Sequence, residues 1–158
     1  MKKLAVIFFS KTGNTEAMAH IIAEGAKEEG GVEVHVSKVE DFSLDQVVEF
    51  DGFILGSPTY YGSMAWEMKK FLDKTVKFHR QLNGKVGGAF TSAANIGGGN
   101  ETTITGILNA LLIHGMIVQG DPDGDHFGPV SIGAPDDRVH GQCRMLGKRV
   151  VTLIKTLN

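Results

Sequence analysis

The chain has one cysteine, Cys143, among its 158 residues. A single thiol cannot form a disulfide within the chain, and it cannot hold an iron–sulfur cluster, which usually needs four cysteine ligands. A protein without disulfides suits a reducing compartment, so we expect a cytoplasmic location. The six histidines are scattered along the chain without metal-ligand spacing, and we predict no metal site.

The sequence also lacks a strong charge of one sign and a long apolar run. Its 16 basic and 18 acidic residues give a net charge of −2, so neither a nucleic-acid groove nor a polybasic membrane surface is predicted. The apolar residues 4–9 follow two lysines, but the run is too short for a signal peptide and no small-residue cleavage site follows it. No run reaches the length of a membrane span. We expect one soluble domain over residues 1–158, without membrane insertion.

Short apolar runs predict four buried strands, at residues 4–9, 53–56, 86–90 and 116–118. These runs do not alternate between apolar and polar residues, as expected for parallel strands that are covered on both faces. Residues 32–36 do alternate, which predicts an edge strand with one face in water. The 21 glycines cluster between the periodic segments, which favours tight loops after strands.

Helical stripes of apolar residues separate the predicted strands, and a weaker helix is predicted at residues 44–50. The stripes are Met18, Ile21, Ile22, Gly25 and Ala26; Met64, Met68, Phe71 and Leu72; Ile104, Ile107, Leu108, Leu111 and Leu112; and Leu146, Val150, Leu153, Ile154 and Leu157. Strands that alternate with helices predict a doubly wound α/β domain, a five-stranded parallel sheet of order 2-1-3-4-5 with helices on both faces. Ligands bind such sheets at the carboxyl ends of strands one and three.

The loop after the first strand has the composition of a phosphate site. Backbone N–H groups and the positive end of a helix dipole point at such a strand-loop-helix corner. Ser10, Thr12 and Thr15 add hydroxyl donors, and Gly13 lets the backbone approach a ligand closely. The other interpretation is an ordinary helix N-cap, with Asn14 or Thr12 as the capping residue.

The loops after the third and fourth strands favour a flat ligand. Tyr60 and Tyr61 follow Pro58, and an aromatic ring there stacks on a planar ligand while its hydroxyl stays in water. The alternative is that one tyrosine packs beneath the loop and the other is simply exposed. Residues 91–101 offer many backbone donors and acceptors with little side-chain bulk, which suits the edge of a polar heterocycle. An ordinary glycine-rich connection is the alternative there.

These loops resemble those of a known family. Residues 10–15, with the core T-G-N-T from Thr12, are similar to the FMN phosphate loop of flavodoxins. Other stretches resemble the WrbA-type NAD(P)H:quinone oxidoreductases: GSPTYYGSMA from Gly56, FLDKT from Phe71, GKVGGAFTS from Gly84, GGGNETTIT from Gly97 and HGM from His114. The resemblance extends from about Leu4 to the final helix.

The resemblance implies a flavodoxin-like fold with noncovalently bound FMN. The residues implied for its phosphate are Ser10, Lys11, Thr12, Gly13, Asn14 and Thr15. Those implied for the isoalloxazine face are Pro58, Thr59, Tyr60, Tyr61 and Gly62. Those implied for the ring edge are Thr91, Ser92, Ala93, Ala94, Asn95, Gly97 and Gly98.

The chain departs from the WrbA-type pattern in several places. The segments between strands two and three and after strand five are shorter than in that group, and the fourth-strand loop has one extra residue before its three glycines. Ile113 replaces the first of the paired histidines that often precede Gly-Met. That histidine is expected to reach the flavin, in some members across a tetramer interface, so the replacement argues against this contact. Family resemblance still favours a homo-oligomer, a dimer or a tetramer.

Several further residues carry weaker signals. Residues 121–126 look in part like a calcium loop, but the glycine comes too early and Ile132 stands where a glutamate is needed, so we predict a solvated turn or a lid over the flavin. A flavin-side role for His126 or Phe127 stays open. Trp66 lies off the stripe of its helix, and an exposed surface residue, an interface anchor and a wall of the substrate site are all open interpretations.

Three other positions are expected to have no catalytic role. Cys143 is predicted to be packed and inert. His114 is predicted to be a residue at a helix C-terminus rather than a catalyst. His20 and His35 are predicted at the surface.

Two principal functions follow from these expectations. The first is an FMN-dependent oxidoreductase of the NAD(P)H:quinone type, in which NADH or NADPH supplies a hydride and a quinone or another aromatic acceptor then takes two electrons. It needs no dedicated catalytic acid or base, and none is identified. The alternative is a flavodoxin that carries single electrons between redox protein partners; the length fits, but the net charge of −2 is weak for a docking face. A third is a flavin-binding domain with a sensing or scaffold role.

Overall fold

A parallel sheet flanked by helices forms the centre of the molecule. The computed structural model describes residues 1–157. Its strands are β1 (Lys2–Phe8), β2 (Val32–Lys38), β3 (Gly52–Tyr60), β4 (Ser63–Met64), β5 (Val86–Ala93), β6 (Ile117–Val118) and β7 (Val130–Ile132). Its α-helices are α1 (Asn14–Glu29), α2 (Trp66–Lys74), α3 (Asn100–Ile113) and α4 (Asp137–Leu157). Short 3₁₀ helices lie at Leu44–Glu49, where a weaker helix was expected, and at Thr75–Phe78.

The strand order confirms the doubly wound prediction. The sheet runs β2-β1-β3-β5-β6, with parallel pairing along this path, and β7 also pairs in parallel with β5. The fifth position is therefore shared: β6 pairs with the start of β5 and β7 with its end, and residues 119–129 lie between them. We predicted only the first half, since three residues give no periodic signal for β7.

Alternate residues of β1 divide the core into two layers. Leu4, Val6 and Phe8 pack with residues of α1 and α4, whereas Ala5 and Ile7 pack with residues of α2 and α3. Because successive side chains of a strand point to opposite faces, this division shows a sheet that is covered on both sides. Among the described residues, no helix is long and apolar enough to cross a membrane.

Two glycines let α1 and α4 pack in direct backbone contact. A Cβ atom at Gly25 would lie 2.3 Å from the carbonyl oxygen of Arg144, and one at Gly147 would lie 2.1 Å from that of Ile22. No larger residue fits at either position unless the helices separate. This contact fixes α1, whose first turn borders the site described below.

The predicted stripe of the second helix was wrong at Met64. Met64 lies in β4, which forms an antiparallel hairpin with β3, and α2 begins only at Trp66. The Oγ atom of Ser57 accepts a hydrogen bond of 2.8 Å from the N–H group of Ala65, which holds the chain in the hairpin up to the start of the helix. The third stripe was also too wide, since Leu112 is 56% exposed.

Candidate functional site

Three loops meet at the carboxyl edge of the sheet, where hydroxyl groups connect the strand ends. Thr91 Oγ1 donates to the carbonyl oxygen of Ser57 at 2.7 Å and lies 2.9 Å from Thr59 Oγ1, which joins β5 to β3. Thr15 Oγ1 lies 2.8 Å from Ser92 Oγ, which joins the first turn of α1 to β5. These bonds fix the positions from which the loops after β1, β3 and β5 leave the sheet.

The loop between β1 and α1 leaves the first turn of α1 without a side-chain cap. Gly13 occupies the N-cap position with a φ of 99°, and no side chain caps the first turn of α1. The alternative interpretation, a cap by Asn14 or Thr12, was therefore wrong. The N–H groups of the first helical turn have no acceptor within the helix, so they remain available to a ligand. The Oγ atom of Ser10 accepts from the N–H group of Gly13 at 3.2 Å and shapes the loop.

The donors of this loop suit a phosphate monoester. The side chains of Lys11 and Thr12 are exposed and Ser10 is half-buried, whereas Thr15 is buried against Ser92. Residues 10–15 contain no carboxylate. Hydroxyl and amide donors, one lysine and a helix N-terminus together favour a doubly charged anion.

The second loop carries the two tyrosines. Tyr60 ends β3, and its ring lies edge-on to Phe9 with 6.5 Å between ring centroids. Burial, and then the nearby carboxylate of Glu67, raise the pKa of Tyr60, so its phenol stays neutral at neutral pH. Tyr61 is fully exposed and has a φ of 49° in the turn to β4. Thus one ring is partly packed and the other projects into solvent.

A close contact between two glycines, which we did not predict, joins the second loop to α3. A Cβ atom at Gly99 would lie 2.3 Å from the Cα atom of Gly62. Beside it, Thr102 Oγ1 donates to the carbonyl oxygen of Gly62 at 2.6 Å. We placed Gly97 and Gly98 in the site and missed Gly99 and Thr102, because nothing in the spacing shows which glycine meets another loop.

The predicted ring-edge residues fall into two groups. Thr91 and Ser92 lie within β5 and are buried, so their side chains hold the strand ends together, and Ala93 ends the strand half-buried. The loop beyond it is exposed at Ala94, Asn95, Gly97 and Gly98. Within it, the N–H group of Gly97 donates to Asn100 Oδ1 at 3.1 Å. This second group is the open part of the loop.

Comparison with known proteins identifies the family. Residues 6–105 match the family model described as flavodoxin. The chain belongs to the flavodoxin-like FMN-binding family.

Its relatives include proteins named flavodoxin and proteins named NAD(P)H dehydrogenase (quinone). A flavodoxin of Clostridium saccharobutylicum is 35% identical over 161 positions, which cover 98% of this chain and 99% of the relative. An NAD(P)H dehydrogenase (quinone) of Archaeoglobus fulgidus is 36% identical over 191 positions, which cover 99% of this chain and 100% of the relative. The crystal structure of a flavodoxin, WrbA-like protein from Agrobacterium tumefaciens has a TM-score of 0.85 and 25% identity, with full coverage of both chains.

Arginines of α4 pair with two of the three aspartates in the segment between β6 and β7. Asp121 Oδ2 lies 2.9 Å from Arg149 Nη1, and Asp125 Oδ1 lies 2.8 Å from Arg138 Nη1. His126 Nδ1 lies 2.7 Å from the carbonyl oxygen of Asp121, within the same segment. Across residues 1–157, no group of three or more His, Cys, Asp or Glu side chains could hold a metal ion.

The structure confirms the predicted surroundings of four other residues. His114 ends α3, and its buried ring lies with Nε2 2.7 Å from Thr75 Oγ1. Burial, and then His79, lower the pKa of His114. Cys143 is fully buried in α4, and desolvation is the main reason why the pKa of its thiol rises to about 12. His20 and His35 are exposed.

Proposed function

We propose that this flavodoxin-family chain binds FMN between its three carboxyl-edge loops and works as an NAD(P)H:quinone oxidoreductase. When bound, FMN supplies the redox chemistry by accepting a hydride equivalent at N5 and passing two electrons to an acceptor. The chain binds the cofactor, orients it and leaves one side open to two substrates in turn. The donor is NADH or NADPH, and the acceptor is a quinone or another aromatic molecule.

The loop at residues 10–15 would hold the phosphate. Ser10 and Thr12 supply hydroxyl donors, Lys11 supplies a positive charge, and the first turn of α1 supplies backbone N–H groups at Asn14 and Thr15. Gly13 provides the left-handed corner that turns these groups toward one point. Thr15 has a second task, since its hydroxyl bonds Ser92.

The other two loops would hold the ring system. Residues 58–62 provide its flanking surface, with Tyr60 supported by Phe9 and Tyr61 free to stack. Apart from the exposed Ile96, residues 93–98 provide small side chains and backbone N–H groups for its polar edge. Amide dipoles that are fixed in place stabilise negative charge developing on that edge without reorganisation.

Ion pairing in the segment between β6 and β7 supports an enzyme rather than a carrier. A carrier of single electrons benefits from an acidic face that steers its partners. Two of the three aspartates in the segment between β6 and β7 offer little such charge, because Asp121 is paired with Arg149 and Asp125 with Arg138, which leaves Asp123. The exposed ring of Tyr61 supports a site that small aromatic substrates can enter.

One observation favours the second candidate function, a flavodoxin that carries single electrons. The chain aligns with the Clostridium flavodoxin over 161 positions but needs 191 positions to align with the Archaeoglobus quinone dehydrogenase. The latter therefore has inserted segments that this chain of 158 residues lacks. Segments of this kind could carry substrate contacts that a carrier does not need.

Steady-state kinetics and a reductive titration of the FMN-loaded protein distinguish these functions. The enzyme is expected to oxidise NADH or NADPH with benzoquinone as acceptor, above the rate with free FMN. It should also show two one-electron midpoint potentials that lie close together. Widely separated potentials without nucleotide turnover would favour the carrier. A protein that stays colourless after incubation with excess FMN would refute both.

We also propose that the protein works in the cytoplasm as a homo-oligomer. Its single, buried cysteine suits a reducing compartment. Exposed apolar side chains at Val76, Leu112 and Ile113 suit contact between copies. Sedimentation velocity should give a dimer or a tetramer, and a monomer at micromolar concentration would contradict this assignment.

A further inference from the structure

A groove beside the candidate flavin site has no role in the mechanism so far. It lies between α2 and residues 39–44, and its volume is about 940 Å³ including its open mouth. It is lined by the apolar side chains of Val39, Phe42, Leu44, Trp66 and Phe71 and by the charged residues Glu40, Glu67, Lys70 and Lys74. Trp66 is 65% exposed, although it is the only tryptophan of the chain.

Two contacts place this groove at the same edge of the sheet as the three loops. The N–H group of Val39 donates to the carbonyl oxygen of Phe8, where β1 ends, at 2.7 Å. The N–H group of Ala65, directly before Trp66, donates to Ser57 in β3. The groove therefore starts where the phosphate loop and the tyrosine loop leave the sheet.

Two lysines of α2, Lys70 and Lys74, line this groove without a carboxylate partner among the described residues. Lys70 Nζ lies 5.0 Å from the centre of the Trp66 ring, and Lys74 lines the groove one turn further along the helix. Within residues 1–157, neither forms an ion pair with a carboxylate. Their neighbours differ, since Lys69 pairs with Asp73 at 2.6 Å and Lys77 pairs with Asp45 at 2.6 Å. An anionic ligand gains more from unpaired cations than from paired ones. Glu40 lines the groove on the side of residues 39–44, so the positive charge lies on the α2 side.

The groove also has a hydrogen-bond acceptor without a donor. Glu67 lines it, and its Oε2 atom is buried with no hydrogen-bond partner among the described residues. A buried carboxylate oxygen without a partner costs free energy, so a rotation of the Glu67 side chain that brings this oxygen into the groove to accept from a ligand N–H group is favoured. Trp66, Glu67 and Lys70 thus offer a flat surface, an acceptor and a cation within one turn of α2.

We propose that this groove binds the adenosine phosphate half of the nicotinamide dinucleotide. Adenine stacks on Trp66 and donates its amino group to Glu67, and the phosphates interact with Lys70 and Lys74. This inference rests on the proposed function, which needs such a donor. A quinone has a flat ring but neither an N–H donor nor a phosphate, so it would leave Glu67 and both lysines without partners.

Calorimetric titration of the FMN-loaded chain with 5′-ADP tests this proposal, and Trp66 fluorescence reports the location. We expect one site and saturable quenching. Inosine diphosphate, which has an oxygen in place of the adenine amino group, should bind several-fold more weakly. The Trp66→Ala variant should bind 5′-ADP about tenfold more weakly, because stacking on an aromatic side chain is lost.

The two lysines have a matched control on the same helix. Lys70→Ala and Lys74→Ala should each weaken 5′-ADP binding about tenfold, as expected for a lost charge-assisted contact. Lys69→Ala removes the same charge from the adjacent position but should leave the affinity unchanged, since Lys69 pairs with Asp73. Glu67→Gln should reduce the preference for 5′-ADP over inosine diphosphate.

The same samples separate this proposal from the proposed function. If the protein oxidises NADH or NADPH but 5′-ADP neither binds nor quenches Trp66, the groove assignment is overturned and the function stands. Equal effects of Lys69→Ala and Lys70→Ala would also overturn it. If 5′-ADP binds with the expected variant pattern but neither nucleotide is oxidised, the groove is a nucleotide site and the hydride-transfer function fails.

Discussion

The hydroxyl oxygens of Thr15 and Ser92 lie 2.8 Å apart in the buried space between α1 and β5. Thr15 belongs to the first turn of α1, beside the phosphate loop. Ser92 lies two residues before the exposed loop that follows β5. One hydrogen bond therefore relates the two loops that we assign to opposite ends of the same cofactor.

Replacement of this hydrogen bond should cost stability even without cofactor. Thr15→Val keeps the shape of the side chain but leaves the Ser92 hydroxyl buried without a partner. We expect the free energy of unfolding of the cofactor-free protein to fall by about 1–3 kcal/mol, measured by urea denaturation. Thr156→Val, on an exposed position of α4, is the control and should change it by less than about 0.5 kcal/mol.

A double-mutant cycle tests whether the two hydroxyls act together. Ser92→Ala should cost a similar amount on its own. The double variant Thr15→Val with Ser92→Ala should lose less than the sum of the single losses, by about 1 kcal/mol. Strictly additive losses would show that the two side chains do not interact in solution.

Gly99 should be more sensitive to substitution than Gly97. Both have a positive φ, 102° for Gly99 and 75° for Gly97, so alanine is strained at either position. Only at Gly99 does a Cβ atom also meet another loop, 2.3 Å from Gly62, whereas nothing lies within 4 Å of one at Gly97. We expect Gly99→Ala to weaken FMN binding about tenfold more than Gly97→Ala.

Fluorescence titration of cofactor-free protein with FMN measures this difference. Thermal unfolding of both variants provides the check on folding. Equal affinities of the two folded variants would contradict the view that contact between Gly62 and Gly99 positions the tyrosine loop.

The exposed hydroxyl of Thr12 should serve the phosphate alone. Thr12→Ala removes one donor to a charged group, so FMN affinity should fall by roughly tenfold or more. Riboflavin lacks the phosphate, and its affinity should stay the same in the variant. A parallel loss of riboflavin binding would place Thr12 at the ring system instead and refute the assignment of this loop.

The fold was predictable because each of its determinants is local in the sequence. The apolar runs that end at Phe9, Gly56 and Phe90 mark buried strands, and the helical stripes between them imply parallel pairing. The position of the three loops at one edge follows from that pairing. Prediction of these features requires only the period of the apolar pattern and the handedness of the connections between strands.

The unpredicted features depend on contacts between distant residues. The approach of Gly99 to Gly62 and the bond between Thr15 and Ser92 join loops that are far apart in sequence. Met64 fits the helical stripe, but pairing with Thr59 places it in a hairpin. The spacing of Met64 from the next apolar residues is the same whether Met64 lies in the helix or in a hairpin before it. The apolar pattern alone therefore could not distinguish the two structures.

His114 should make stability depend on pH. Burial, and then the neighbouring His79, lower the pKa of His114 in the folded protein below its usual value near 6.5. The unfolded chain therefore takes up a proton at a pH at which the folded protein does not. The contribution of His114 to the free energy of unfolding is fully present above about pH 6.5. It is lost as the pH falls toward the pKa of His114 in the folded protein.

Urea denaturation across this pH range measures the effect. His114→Gln should remove part of the decline in the free energy of unfolding below about pH 6.5. His79→Gln should remove less, because burial is the larger cause of the shift at His114. An unchanged pH dependence in His114→Gln would show that this ring titrates alike in both states.

Cys143 should react with thiol reagents only when the protein unfolds. Its side chain is fully buried in α4, and the pKa of the thiol is about 12, mainly because burial disfavours the thiolate. At pH 8 the native protein should therefore resist a disulfide reagent such as dithionitrobenzoate, and the labelling rate should rise in step with urea unfolding. Cys143→Ala provides the blank, since no other cysteine is present. Rapid labelling of the native protein would contradict this prediction and would show that α4 opens locally.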